Sequence, residues 1–140
     1  SENVGYHIEY RGKNFTFATD LGYVSPEAAH HLIKSDYMVL EANYDDDMLE
    51  NGPYPLHLQV RIKSDTGHLS NLQTARFLTE NYSKRWKYIF LCHLSKENNL
   101  PELAYNTIAD HLRNEEIYFE ENLQLIALDR MNPSAMYLFE

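Results

Sequence analysis

Tyr37-Met38-Val39-Leu40-Glu41-Ala42-Asn43-Tyr44-Asp45 is the stretch whose reading decides the fold. Its first four residues form a short unbroken apolar run, the pattern of a strand buried on both faces. A strand of that kind belongs to a sheet that carries packed layers, which points to an α/β architecture. The run then breaks into Glu41 and small or polar residues. That is how a strand end delivers a functional group into a cleft.

Working outward, residues 6–10 and 15–19 alternate apolar and polar side chains around Arg11-Gly12-Lys13-Asn14, which are hairpin signals. Ser25-Pro26-Glu27 supplies an N-cap, a first-turn proline and an acid near the helix N-terminus, so a helix is expected to about Lys34. Gly52-Pro53-Tyr54-Pro55 breaks the chain before a helical stretch at 56–62. Ser70 starts the clearest helix, with Leu72, Ala75, Arg76, Phe77 and Leu78 spaced for one buried stripe. Residues 88–91 form the next buried strand, and Pro101 opens a helix through Leu103, Ala104, Ile108 and Leu112. Further strands are expected at 123–128 and 137–139. A hairpin followed by alternating strands and helices predicts a mixed, partly parallel α/β sheet with an antiparallel edge.

The chain has 140 residues, one domain by size, and 44% hydrophobic content is ample for a core. With 21 acids against 12 bases and a net charge of −9, a broad nucleic-acid-binding face is disfavoured, although a local strip is not. Lys84, Arg85 and Lys87 form the basic cluster; with Trp86 and Tyr88 it reads either as a stacking patch or as a solvated turn before a strand. Cys92 is the single cysteine, so no disulfide forms within the chain, as in a reducing compartment. Its place after an apolar run suits a buried structural thiol. No apolar run approaches the ~20 residues that cross a bilayer, and the first residues resemble no signal peptide. A soluble cytoplasmic protein without a membrane partner is expected.

Four residues could carry chemistry. Asp20, in Thr19-Asp20-Leu21-Gly22, follows a strand and precedes a sharp turn; it reads as a ligand or as a turn aspartate bonding its own backbone. His93 ends the strand at 88–91 and reads as a ligand or a satisfied core histidine. His68 lies just before the helix begun by Ser70, where the helix dipole favours anions. It suits a group that meets a phosphate oxygen, or one that braces the turn. Glu41 is placed to bond an imidazole nitrogen of a nearby histidine and fix its tautomer. Asp45, Asp46 and Asp47 read as a solvated helix start, and His7, His30, His31, His57 and His111 as non-functional. One carboxylate and two imidazoles suit a zinc-class ion. No H-x-H or H-x-x-x-H pair occurs, so most of a metal site has to come from elsewhere.

Thr-Asp-Leu-Gly-Tyr from Thr19, Leu-Glu-Ala-Asn-Tyr-Asp from Leu40, Ser-Asp-Thr-Gly-His-Leu-Ser-Asn from Ser64 and Leu-Cys-His-Leu-Ser-Lys-Glu-Asn-Asn from Leu91 occur in that order. Together they resemble the C-terminal half of metallo-β-lactamase-fold hydrolases, especially the YycJ/WalJ-like branch related to ribonuclease Z-like enzymes. The resemblance covers most of the chain. It implies half of an αββα sandwich, a mixed sheet with helices on one face, and two divalent ions (zinc or manganese) held at the sandwich edge. On this resemblance Asp20 looks like the carboxylate that bridges both metals, and His93 like the last histidine ligand of the second. His68 looks like the histidine that assists at the scissile phosphate, and Glu41 like its carboxylate partner. Asn71 and Ser95 adjoin these motifs with no role assigned.

The family's H-x-H-x-D-H motif, which belongs to its N-terminal half, is not in this chain. The expectation is therefore a fragment of a metal-dependent phosphodiesterase or nuclease, acting on a phosphodiester or nucleic-acid substrate and inactive alone. The alternative is a non-catalytic α/β module for self-association or protein binding. A half-sandwich leaves one sheet face bare, so a homodimer is expected of the chain alone.

Overall fold

The computed structural model describes residues 4–117, 121–129, 137 and 139. Its strands are β1 (Val4–Tyr10), β2 (Lys13–Thr19), β3 (Tyr37–Glu41), β4 (Tyr88–Cys92) and β5 (Gln124–Ala127), lying side by side in chain order. β1 and β2 are antiparallel, and the other three pairings are parallel. The hairpin turn is tighter than its sequence signals suggest. Arg11 and Gly12, at φ 52° and 78°, make it alone, so Tyr10 pairs with Lys13. Two successive left-handed residues give a turn whose twist matches the strands it joins.

The helices are α1 (Pro26–Ile33), α2 (Asp46–Asn51), α3 (Leu56–Lys63), α4 (Asn71–Glu80) and α5 (Pro101–Asn114). Local chemistry starts several of them. The Ser25 hydroxyl accepts from the Ala28 N–H ahead of Pro26, and Asp45 caps α2 through the Met48 N–H. Ser70 and Gln73 cap each other's backbone at α4. The stripe that α4 buries comprises Asn71, Thr74, Ala75, Phe77 and Leu78; Arg76 is exposed and Leu72 only half-buried.

From β2 to β5 the sheet grows one strand at a time in one direction, and every crossover contains a helix. Crossovers of one hand that step in one direction all fall on one face. The register accordingly lines up Ala18, Leu40 and Leu91, and next to them Met38, Ile89 and Leu125. These are buried against Leu32, Ala75, Leu78, Ile108 and Leu112 in one core. Trp86 belongs to it, its indole N–H donating to the Leu32 carbonyl at 2.9 Å. The patch at Lys84, Arg85 and Lys87 therefore has no Trp86 ring to stack on, and Arg85 pairs with Asp36 at 3.3 Å.

The opposite face is aromatic. Phe139 sits against Phe15, Tyr37, Tyr88 and Phe90, with ring centroids 4.3–6.0 Å apart; Tyr37 of β3 is buried on this face and Val39 half-buried. The strand expected at 137–139 falls partly outside the described residues; Tyr137 and Phe139 themselves are not in a strand. Among the described residues nothing covers the rest of this face, where Tyr6 is 65%, Ile8 51%, Tyr10 60% and Phe17 38% exposed. Among the described residues no helix is long and apolar enough to cross a membrane.

Candidate functional site

Parallel pairing of β3 with β4 sets Glu41 beside Cys92, so His93 leaves the sheet next to Glu41. Pairing of β2 with β3 brings Asp20 to the same carboxyl edge. His68 arrives on the loop between α3 and α4, which is stitched to the end of β3 by Asn43 N–H to Leu69 O (2.9 Å) and Asn71 N–H to Tyr44 O (2.8 Å). That loop lies so close that a Cβ on Gly22 would meet the Asp65 carbonyl at 2.1 Å, which explains the glycine. One ligand atom each from Asp20, Glu41, His68 and His93 then lies within 4.8 Å of the others. The four site residues singled out from the sequence thus converge.

Glu41 organises the group. Its carboxylate is fully buried and accepts five N–H bonds. Oε2 takes the Leu21 and Leu69 N–H groups at 3.2 and 3.1 Å; Oε1 takes Asp20 N–H and His68 Nδ1, both at 3.2 Å, and His93 Nδ1 in close contact. Burial alone raises its pKa. The bonds from His68 and His93, the His68 charge and the Leu69 N–H outweigh that and hold Glu41 below the usual glutamate value, so it is an anion. Glu41 serves both histidines, where the family resemblance implies His68 as its partner.

Asp20 differs from Glu41. Its side chain is 56% exposed, with Oδ1 3.4 Å from His93 Nδ1 and 3.9 Å from His68 Nδ1. The carboxylate thus faces the imidazoles. The two rings meet edge-on, 5.1 Å apart. Asp20 and His93 both have left-handed backbones, at φ 55° and 58°. That conformation costs an L-residue roughly 1–2 kcal/mol, and such outliers gather at functional sites.

Donation from Nδ1 to Glu41 sets each imidazole to the tautomer whose Nε2 carries a lone pair, as in histidine ligands backed by a carboxylate. The donor set that could hold a cation is therefore one exposed carboxylate and two imidazoles, while the Glu41 oxygens are taken up by N–H groups. Nitrogen and oxygen donors of this kind fit a borderline divalent ion. Cys92 adds no thiolate: burial first, then the Glu41 and Asp20 charges, push its thiol up to about 12. His7 and His31 stack on each other, 4.8 Å apart, beside a separate cavity of about 530 Å³ between β1, β2 and α1.

A supporting web of amides and hydroxyls was not legible as such. Thr74 Oγ1 donates to the Glu41 carbonyl at 2.6 Å, Asn99 Nδ2 to the Ala42 carbonyl at 3.0 Å, and Asn43 Nδ2 to the His93 carbonyl at 2.7 Å. Asn71 and Asn99 exchange two bonds of 2.9 Å. The signal available was Asn71 and Thr74 standing in an otherwise apolar helical stripe.

A family model described as the β-lactamase superfamily domain matches residues 1–89, and the chain belongs to that family. Exodeoxyribonuclease WalJ of Streptococcus pneumoniae is 42% identical over 107 residues, covering 76% of this chain and 40% of WalJ. Exodeoxyribonuclease YycJ of Bacillus anthracis is 33% identical over 112 residues, covering 80% of this chain and 42% of YycJ. The chain thus spans about two fifths of the length of these curated relatives.

Proposed function

We propose that this chain is the C-terminal half of a metal-dependent deoxyribonuclease, contributing one side of an active centre that its other half completes. The observation that carries the reading is the convergence of Asp20, Glu41, His68 and His93 at one strand edge, within 4.8 Å, in a chain similar to two proteins named exodeoxyribonucleases. Two divalent ions, zinc or manganese, would supply a nucleophile from water and neutralise phosphodiester charge. Asp20, with its exposed carboxylate, and His93 would be the residues of this chain that hold them. Glu41 fixes the orientation of both imidazoles. His68, on the loop leading into α4, donates to a phosphate oxygen as charge develops there.

Asp20 and His93 are too few for two ions, since one catalytic zinc alone takes three protein ligands and water. The isolated chain is therefore inactive in this reading. The open face with Tyr6, Ile8, Tyr10 and Phe17 is where the other half of the sandwich packs, and a second copy covers it when the chain is alone. A single cysteine accords with a cytoplasmic setting.

Metal analysis by mass spectrometry on the full-length protein tests the roles. Asp20→Ala and His93→Ala are expected to lose bound metal, and His68→Ala to lose turnover with metal content nearly intact. Loss of metal in His68→Ala as severe as in His93→Ala would mean that the two histidine roles are exchanged.

A further inference from the structure

We infer that Asn43 is a positioning residue for His93: its side-chain amide holds the left-handed peptide that turns this imidazole onto Glu41 and Asp20. The inference rests on the metal-site reading above and names a residue on which that site depends.

The sheet ladder between β3 and β4 ends with the Ala42 N–H bonding the Cys92 carbonyl at 3.1 Å. At His93 the chain turns to φ 58°, and its carbonyl is carried away from strand pairing. A backbone carbonyl so placed needs a replacement donor. Asn43 Nδ2 is that donor, at 2.7 Å. The same residue grips the turn from the other side, because its own carbonyl accepts the Ser95 N–H at 2.7 Å. Its backbone N–H bonds the Leu69 carbonyl, beside His68, at 2.9 Å. Asn43, 8% exposed, thereby ties the end of β3 to the His68 loop through its backbone and to the His93 turn through its side chain as well.

The chemistry selects asparagine. An aspartate of the same shape has no N–H for the His93 carbonyl, and it would add a charge beside Glu41 and Asp20. With so little exposure Asn43 does not touch substrate; it acts through His93. Groups that orient a metal-binding histidine change metal affinity by ten- to a hundredfold when removed.

The test is zinc affinity of the full-length protein, by competition with a chelator, together with thermal melting. Trp86→Phe deletes a buried bond to the Leu32 carbonyl on α1 and serves as the stability control. Asn43→Asp is expected to bind zinc ten- to a hundredfold more weakly while melting no lower than Trp86→Phe, which keeps native affinity. Should Asn43→Asp fail to fold, Asn43→Ser takes its place in the same measurements. Native zinc affinity in a folded Asn43 variant overturns the positioning role. So does unfolding of both variants, which would make Asn43 a stability residue. A native protein that binds no zinc overturns the underlying metal reading instead.

Discussion

Glu41→Gln is nearly isosteric, yet it should be among the most damaging substitutions available. All five groups that Glu41 meets are N–H donors, so both oxygens must accept. A glutamine amide has only one such oxygen. Turned one way, its NH₂ faces the Leu21 and Leu69 N–H groups; turned the other, it faces Asp20 N–H and both imidazoles. In the first orientation the Leu21 and Leu69 N–H groups are two buried donors left without an acceptor, at ~1–3 kcal/mol each, giving a loss of about 2–6 kcal/mol. That is a large part of the ~5–15 kcal/mol that stabilises a domain. Denaturant unfolding of the full-length protein at neutral pH measures it. The pH dependence follows from the direction of the Glu41 shift. A carboxylate held below its ordinary value contributes stability that is fully present above the usual glutamate range and is lost as pH falls through the lowered value. The gap between native protein and variant should therefore narrow on acidification. A difference below ~0.5 kcal/mol at neutral pH, or one that widens in acid, would refute the reasoning.

Two further outcomes are expected. Cys92, with its thiol pushed up to about 12 by burial, should resist a thiol reagent at pH 8, where only about one molecule in 10⁴ carries the thiolate, and react once denaturant is added; rapid labelling of the folded protein would contradict this. The chain alone should sediment as a dimer at micromolar concentration. Tyr6, Ile8, Tyr10 and Phe17, partly exposed, offer on the order of 1 kcal/mol each when covered, and Tyr6→Lys with Ile8→Lys should restore a monomer. A native monomer would count against an uncovered sandwich face.

The elements were legible because each carries its own punctuation: Ser25-Pro26 and Ser70 with Gln73 mark helix starts, and the apolar runs of β3 and β4 mark buried strands. The hairpin turn was read too wide because Lys13 and Asn14 are polar, yet they pair into the β1–β2 ladder. α2 was visible only as a start, since six residues capped by Asp45 are too few to show a period. At the site, residue types could be read locally, but their partnerships could not. That Glu41 serves His93 as well as His68 depends on the parallel register that sets Glu41 beside Cys92, which no local pattern encodes. The left-handed backbones at Asp20 and His93 and the Asn71–Asn99 exchange arise only when distant segments meet.

The most direct measurement is divalent-metal-dependent cleavage of end-labelled DNA by the full-length protein, with and without Asp20→Ala. Cleavage that requires zinc or manganese and disappears in the Asp20 variant is the expected result. Cleavage that persists without metal, or is unchanged by Asp20→Ala, would contradict the assignment of this strand edge as one side of a metal-dependent nuclease centre.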